Sequence, residues 1–334
     1  MNDVAATIAS MRSFLPSPRA NVVERLARVT KDELRDSLRE LKVPLDAVDE
    51  IIAHWSEFRV DDHWMTLLAA LVTLVEEQMG DHDAPLRVWD DLDDAGASGR
   101  LLYFYLFAVT WRGTERFLRE GRCPQSVIDR TMSSLSRHAG IHFRKWDTVG
   151  IDAGWWMLPA LRGELLHIGS LQFHCVTLGV GSLAPRPWYS DDDATTLGPG
   201  FRHGDPSVGI HIPDNTDLSA SALDATFREA RDVVGATWPV RQRRVATCQS
   251  WMLDPQLGEF LAPSSNILGF QRRFTPLPEW IVDDRDIVEF VFRRPGVALE
   301  DRPQTTTLER AVVALIESGR HWRVPPCWMD FDGK

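Results

Sequence analysis

The sequence has no apolar run long enough to cross a bilayer. Its best candidate, Trp64 to Val75, is shorter than the roughly 18 residues that a spanning helix needs. The first twenty residues also lack the basic start and apolar stretch of a secretory signal. We therefore expect a cytoplasmic protein that is neither embedded in a membrane nor exported.

Positive charge is also in short supply. The 334 residues include 37 Lys and Arg against 48 Asp and Glu, which gives a formal net charge of -11. A nucleic-acid-binding protein depends on a positive field to attract phosphates, so this class is excluded. The acidic excess is compatible with a cationic small molecule or an amine as the partner.

Cysteine is scarce and scattered. The four cysteines form no CxxC pair, and no spacing of His, Asp or Glu resembles a metal site. We therefore expect reduced thiols and no metal, rather than a zinc ribbon or a disulfide scaffold. Neither GxSxG nor a Walker motif occurs.

The first part of the chain has a helical pattern. Up to about Arg137, apolar residues recur every three or four positions. Thr30 and Glu33 form a capping-box pattern at the start of one predicted helix. The apolar segment Leu101 to Trp111 is interpreted as a central, covered helix; the lining of a ligand pocket is the alternative.

After His138 short segments rich in β-branched and aromatic residues predict strands. They are Leu165 to Leu178, Ser207 to Ile212, Arg244 to Leu253 and Asp286 to Phe292. Helix signals lie between them, chiefly over Ser219 to Val234 and Thr306 to Ser318. The sequence predicts an α+β protein, with an all-helical N-terminal domain over residues 1–140 and a mixed sheet flanked by helices over residues 141–334.

One strand, turn and helix unit stands out in the second half. A strand that begins at Val208 runs into a turn at Pro213, and Asp217 or Ser219 can cap the helix that follows. The first turn of a helix leaves main-chain N–H groups that attract an anion such as pyrophosphate. Every α/β protein has such helix starts, so a second line of argument is needed.

Several short segments supply it. IGSLQF begins at Ile168, GD at Gly204 precedes IHIP at Ile210, CQSWMLDP begins at Cys248, SNI at Ser265 and PQTTTL at Pro303. In this order they resemble the GNAT-like acyltransferase domain that follows a helical N-terminal domain in a family of two-domain bacterial acyltransferases. The resemblance implies a GNAT-like mixed β-sheet domain.

The resemblance also implies the co-substrate and the residues that hold it. The co-substrate is an acyl-CoA, or an acyl carrier protein with the same phosphopantetheine arm. The strand lends main-chain amides to the pantetheine and thioester, and the loop into the helix cradles the pyrophosphate. The residues so implied are Gly209, Ile210, Ile212, Pro213, Ser219, Ala220 and Ser221.

The loop from Pro213 to Ser221 departs from the family pattern. It lacks the signature of Gln or Arg, two residues, Gly, one residue, then Gly or Ala, and it carries Asp214 and Asp217. These carboxylates repel a pyrophosphate. An acyl carrier protein, which presents the arm without the nucleotide, would avoid the conflict.

Acyl transfer to an amine needs a base for the amine and a proton for the leaving thiolate. His211 is the preferred base, because imidazole titrates near neutrality and strand alternation places it with Gly209. Asp205 is expected to orient it across the strand start, and Ser250 or Cys248 to protonate the thiolate. The alternatives are a structural histidine, a core cysteine and a covalent role for Cys248.

Three further residues are candidates for the pantetheine channel. Asn266 can bond the pantetheine amides, and Trp251 and Phe270 can form its walls. Helix capping by the preceding serines and ordinary packing explain these residues equally well. The long loop Gly179 to Gly204 is a candidate lid, or alternatively a mobile insertion.

These observations predict an N-acyltransferase that moves an acyl group from a thioester to an amine of a small metabolite. The alternative is a non-catalytic GNAT-like binding or scaffold protein that has lost CoA. A gap between the strand at Gly209 to Ile212 and its neighbour would favour the enzyme.

Overall fold

The computed structural model describes residues 4–82, 84, 86–179, 187–238 and 244–332. The chain divides into two units, Met1–Leu166 and His167–Lys334. The boundary expected at residue 140 falls inside the helix Ser134–Trp146, which belongs to the first unit. Among the described residues, no helix combines the length and the apolar character that crossing a membrane requires.

The first unit is helical. Thr30 starts one of its helices with a full capping box: its side chain accepts from the Glu33 amide, and the Glu33 carboxylate accepts from the Thr30 amide at 2.8 Å. The α-helices are α1 Val4–Phe14, α2 Ala20–Arg28, α3 Lys31–Glu40, α4 Leu45–Phe58, α5 Asp62–Glu77, α6 Gly96–Glu120, α7 Gln125–Met132, α8 Ser134–Trp146 and α9 Leu158–Leu161.

Helix α6 is the centre of this unit, as its all-round apolar sequence predicted. Every residue from Leu101 to Ala108 is buried, and α6 packs against α3, α4, α5, α7 and α9. The Tyr105 ring lies 4.9 Å from Trp55 and 4.5 Å from Phe58, and its hydroxyl donates to the Ile51 carbonyl. The segment is therefore a core helix.

The second unit holds a mixed sheet. Its strands follow the order β1-β2-β3-β4-β8-β5, and β3 and β4 are parallel while the pairs β2–β3, β4–β8 and β5–β8 are antiparallel. The first strand, β1, straddles the boundary between the units. The strands are β1 Leu165–Ile168, β2 Leu171–Thr177, β3 Pro206–His211, β4 Val245–Gln249, β5 Thr275–Pro276, β6 Ile281–Val282, β7 Arg323–Val324 and β8 Pro326–Asp330, with β6 and β7 forming a separate pair.

Among the described residues of this unit, five α-helices accompany the sheet. The longest covers one face, where Phe227 meets Phe173 of β2 edge to face at 6.2 Å. Its other buried residues include Leu223 and Ala230, and this apolar stripe fixes the helix on the sheet. The helices are α10 Asp191–Leu197, α11 Ala220–Thr237, α12 Asn266–Gln271, α13 Asp284–Phe292 and α14 Thr307–Glu317.

The predicted strand at Asp286 to Phe292 is wrong, because this segment is helix α13. Asp283 caps the helix through the Arg285 amide at 2.9 Å, and its apolar residues recur at the helical spacing that buries Ile287 and Phe292. The β-branched and aromatic content of the segment concealed that period.

Three other predicted segments are interrupted. The predicted strand Leu165 to Leu178 turns at Gly169, where a Cβ would lie 2.1 Å from the Thr226 hydroxyl oxygen and φ is +57°. The helical pattern that extends to about Arg137 breaks at Ser133 between α7 and α8. The predicted strand Arg244 to Leu253 ends at Gln249, and a 3-10 turn follows over Trp251–Leu253.

Candidate functional site

The ladder between the central strands β3 and β4 ends before the carboxyl ends of both strands. Their parallel ladder contains the pairs Val208↔Ala246 and Gly209↔Thr247 and ends there. Each strand remains paired on its other side, β3 to β2 as far as His211 and β4 to β8 as far as Gln249. We call the space between Ile210–His211 and Cys248–Gln249 the strand cleft.

His211 lies on the face of the sheet that also carries Gly209, as strand alternation predicted. The imidazole stands over this glycine: a Cβ at Gly209 would lie 3.3 Å from the His211 Nε2. The ring of His174, the residue paired with Gly209 on β2, lies 5.6 Å away. A glycine at this position therefore leaves room for two histidines above the sheet.

Burial keeps His211 neutral. Its side chain is half-buried, its Nε2 atom is buried, and loss of solvent together with the neighbouring His174 lowers the pKa of His211 to about 3. The sequence argument that this imidazole titrates near neutrality is therefore wrong. A neutral imidazole is nevertheless the form that can accept a proton from an amine.

The structure does not bring Asp205 to His211. The two residues stand at opposite ends of β3, and six steps along a strand span about 20 Å. Asp205 Oδ2 instead accepts from the Arg202 amide at 3.1 Å in the turn before the strand. Strand alternation described which face each residue uses but not the distance along the strand.

Cys248 lies on the opposite face from His211. Thr247 is paired with Gly209, so the next residue, Cys248, points to the other side. There it faces Cys327 of β8, and burial raises the pKa of the Cys248 thiol far above its usual range. A covalent role needs a thiolate beside a histidine, and this geometry provides neither.

Ser250 follows β4 and caps the 3-10 turn that begins at Trp251. Its Oγ accepts from the Met252 amide at 3.1 Å, and its extended backbone continues the alternation that turns Cys248 away from His211. Ser250 is thus committed to a local turn on the far side of the sheet. The geometry gives it no evident access to a thiolate on the His211 face.

The predicted anion site is the loop from Ile212 and Pro213 to the start of α11. Both residues are half-buried, and Ala220 and Ser221 in the first helical turn are exposed. Ser219 is the N-cap, accepting from the Ala222 amide at 3.4 Å, and Asp217 accepts from the Ser219 amide at 2.8 Å. The open turn retains the helix dipole that favours an anion.

The acidic residues of this loop have partners. Asp214 lies 3.7 Å from the guanidinium of Arg293, at the end of α13. Accepting from Ser219 lowers the pKa of Asp217, which keeps it charged. The sequence-based conflict with a pyrophosphate is therefore reduced at Asp214, where an arginine supplies the opposite charge.

Trp251 and Phe270 are core residues. Trp251 packs among the apolar residues around α13 and α14, and the fully buried Phe270 contacts Phe274 at 4.9 Å between ring centroids. Asn266 is exposed and is the first residue of α12, while Ser265 occupies the cap position without a side-chain bond. Packing is thus sufficient to explain both aromatic residues.

The candidate lid is only partly described, since residues 180–186 lie outside the described residues. The part from residue 187 onward contains α10, which Ser190 and Asp193 start with a capping box. Trp188 and Tyr189 are buried in an apolar cluster with Val245 of β4. Trp188 and Tyr189 therefore anchor the start of this part to the core, whereas no residue of α10 is buried.

Sequence reasoning missed Gln249, the last residue of β4. It lies on the face of His211, two residues beyond the last β3–β4 pair. Its Nε2 atom is buried and has no hydrogen-bond partner among the described residues. Only the strand register relates it to His211, so no sequence signal could have found it.

Within the described ranges, no three His, Cys, Asp or Glu side chains come together as a metal site. The four cysteines are buried, and none of them forms a disulfide in the part of the chain that the structure describes.

Two family models match the chain. The model of the N-acyltransferase N-terminal domain covers residues 32–163, and that of the GNAT-like C-terminal domain covers residues 165–329. No curated protein matches the chain.

Solved structures that resemble the chain are acyltransferases with CoA or an acyl-CoA bound. A mutant acyltransferase in complex with octanoyl-CoA is 31% identical with a TM-score of 0.76, over 95% of this chain and 90% of the other. An acyltransferase in complex with decanoyl-CoA and teicoplanin is 32% identical with a TM-score of 0.76, over 92% and 93%. A third, with CoA and 10C-teicoplanin, is 30% identical with a TM-score of 0.75, over 95% and 90%.

Proposed function

Since this chain belongs to the acyltransferase family that joins an N-acyltransferase N-terminal domain to a GNAT-like C-terminal domain, we propose that it transfers the acyl group of an acyl-CoA to an amine of a small metabolite. The observation that carries the proposal is the strand cleft, where the β3–β4 ladder ends at Gly209↔Thr247. Strands that separate in this way can admit an extended pantetheine arm between them.

The donor would lie in the cleft with its thioester near Ile210. Main-chain groups on the inner edges of β3 and β4 can hydrogen-bond the pantetheine amides as a third strand would. The pyrophosphate would then reach the first turn of α11, where Ala220 and Ser221 are exposed and the helix dipole attracts an anion. One extended ligand thus connects the cleft to the helix start.

His211 would act as the base. The amine nitrogen attacks the thioester carbonyl carbon and forms the new C–N bond, and neutral His211 accepts the proton that the nitrogen releases. The C–S bond then breaks, the electron pair leaves with sulfur, and protonated His211 returns the proton to the CoA thiolate. The low pKa of His211 opposes the first of these two proton transfers and favours the second, because burial disfavours the charged imidazolium.

An acyl carrier protein is the second candidate donor. Asp214 and Asp217 remain in the pyrophosphate loop, and only Asp214 has an arginine beside it. A carrier protein presents the same arm but no pyrophosphate, so no phosphate would have to lie between these two carboxylates. Its acidic surface would instead need basic residues around the cleft mouth.

We also propose that the reaction takes place in the cytoplasm. Acyl-CoA is made there, and four buried cysteines without a disulfide among the described residues suit a reducing compartment. The proposed acceptor is an amine of no single identity, and the similar structures that contain teicoplanin make this compound the first acceptor to test.

The test is calorimetry of the full chain against decanoyl-CoA, acetyl-CoA and a decanoyl carrier protein, followed by mass spectrometry of amine acceptors incubated with the donor that binds. We expect a thioester to bind and an amide product whose mass exceeds that of the acceptor by one acyl group. Absence of binding by all three donors would contradict the proposal. Binding without product from a broad amine panel would favour the non-catalytic alternative.

A further inference from the structure

Gln249 lies on the β4 side of the strand cleft, and His211 lies on the β3 side. The last pair of the β3–β4 ladder is Gly209↔Thr247. His211 lies two positions beyond Gly209 on β3, and Gln249 lies two positions beyond Thr247 on β4. Strand alternation places both side chains on the same face of the sheet. A thioester in the cleft would therefore have the imidazole on one side and the amide on the other.

The side-chain amide of Gln249 differs from those of Gln256 and Gln271 in the same unit. Gln271 Nε2 donates to the Met252 and Asp254 carbonyls at 2.8 and 2.9 Å, and Gln256 Nε2 donates to the Asp254 carboxylate and the His321 carbonyl at 3.0 Å. The buried Gln249 Nε2 has no such acceptor among the described residues. Buried polar groups are normally satisfied, so this N–H group calls for an acceptor.

No other β4 side chain beyond the ladder offers a donor on this face. Cys248 and Ser250 point to the opposite side of the sheet. Thr247 is buried within the last pair of the ladder. Gln249 is therefore the side-chain donor of β4 that can reach the contents of the strand cleft from the His211 face.

We propose that Gln249 is a catalytic residue whose Nε2–H donates a hydrogen bond to the carbonyl oxygen of the thioester. The inference rests on the proposed acyl transfer. When the amine attacks, the C=O π electrons move onto this oxygen, and a donor already in place stabilises the negative charge. The carbonyl re-forms as the C–S bond breaks, so the hydrogen bond is strongest at the tetrahedral intermediate.

The test compares Gln249→Met, which keeps length but removes the donor, and Gln249→Glu, which places a carboxylate opposite the developing charge. At saturating acyl-CoA we expect Gln249→Met to lower kcat by about 10²-fold and Gln249→Glu to lower it further. Because the donor acts mainly on the transition state, the Kd for acyl-CoA should change less than threefold in Gln249→Met.

A spectroscopic readout separates this role from a structural one. Isotope-edited infrared spectra of bound acyl-CoA, labelled with carbon-13 at the carbonyl, should show a band at lower frequency than in water-free solvent for the wild type, and a shift back toward higher frequency in Gln249→Met. The matched control is Gln271→Met, which removes a satisfied structural amide and should leave the band at the wild-type frequency.

Each outcome has a definite consequence. A carbonyl band that does not move in Gln249→Met, with kcat within threefold of the wild type, would overturn the inference. A band that moves equally in Gln271→Met would also overturn it, because the effect would then be structural. Failure of the wild-type chain to bind any acyl-CoA would instead overturn the proposed function on which the inference rests.

Discussion

At the scale of single residues, the neutrality of His211 has the clearest consequence. Its pKa of about 3 lies below the ordinary histidine value, so the imidazole stays unprotonated as the pH falls from 8 to 5. Any loss of kcat/KM at acid pH should then follow protonation of the acceptor amine.

We predict that His211→Ala lowers kcat by about 10²-fold or more. In the wild type, the acid limb of kcat/KM should move with the pKa of the acceptor when two amines of different basicity are compared. Rates measured from pH 5 to 9 with both amines check this. A limb that stays near pH 6.5 for both acceptors would show that an enzyme group near the ordinary histidine pKa controls it.

Cys248 provides a second prediction at this scale. It is buried, and its thiol has a raised pKa on the far side of the sheet from His211. Cys248→Ala should keep kcat within about threefold while lowering the free energy of unfolding by about 1 kcal/mol through lost packing. Steady-state assays and urea unfolding measure the two effects. A loss of kcat without loss of stability would restore a chemical role for the thiol.

The face of the sheet that a residue uses was easier to predict than the residues that lie beside it. Alternation along β3 placed His211 and Gly209 on one face from the sequence alone, because a strand repeats every two residues. Asp205 and Gln249 show the limit. The first lies too far along the same strand, and the second becomes a neighbour of His211 only through the parallel register between distant segments.

At the scale of elements, the first turn of α11 is the part of the proposed donor site that can be altered cleanly. Ser219→Ala removes the cap that accepts from Ala222, and should cost about 1 kcal/mol of stability. It should also raise the KM for acyl-CoA, because the exposed amides of the turn lose their fixed direction. Thr306→Ala removes the corresponding cap of α14, and should lower stability without changing KM. Equal KM values in both variants would exclude α11 as the phosphate site.

The ion pair between Asp214 and Arg293 makes a separate prediction. Arg293→Ala leaves the Asp214 carboxylate without its arginine neighbour beside the proposed pyrophosphate position. We expect the KM for acyl-CoA to rise about three- to tenfold, the effect of about 1 kcal/mol from one lost charge partner. An acyl-pantetheine without phosphates should be unaffected. Arg285→Ala, which removes an exposed arginine of α13 paired with Asp283, is the control and should change neither KM.

Elements with strong end signals were predicted well, and elements defined by composition were not. Thr30 and Glu33 located α3 because a capping box is local chemistry. Helix α13 was mistaken for a strand because Val and Phe suit both structures, and only its packing against α14 and the Asp283 cap decides between them. The turn at Gly169 was missed because the need for glycine there comes from Thr226, far along the chain.

At the scale of the whole molecule, donor binding should be local. A ligand at 100 times its Kd stabilises the native state by about 2.7 kcal/mol. We expect decanoyl-CoA to raise the thermal midpoint and to slow amide hydrogen exchange over residues 206–223 and 245–250, whereas α6 in the first unit should exchange unchanged. Protection spread evenly over both units would contradict a donor site in the strand cleft.

The order of the two halves was visible in the sequence, because a helical period gives way to short β-rich segments. The boundary between the two units was harder to predict from the sequence. The units divide between Leu166 and His167, beyond helix α8, whose histidines, glycine and tryptophan weaken the apolar period.

The strands β2 and β8, which pair with the outer edges of β3 and β4, keep the strand cleft open. β2 pairs with β3 up to His211, and β8 pairs with β4 up to Gln249. Neither β3 nor β4 is therefore free to move across and close the strand cleft. The end of the β3–β4 ladder is thus set by the fold itself, so the free protein already has the strand cleft. Over evolutionary time, such a protein can exchange one substrate for another by changing the few side chains that fringe the opening, while the framework that keeps it open remains as it was.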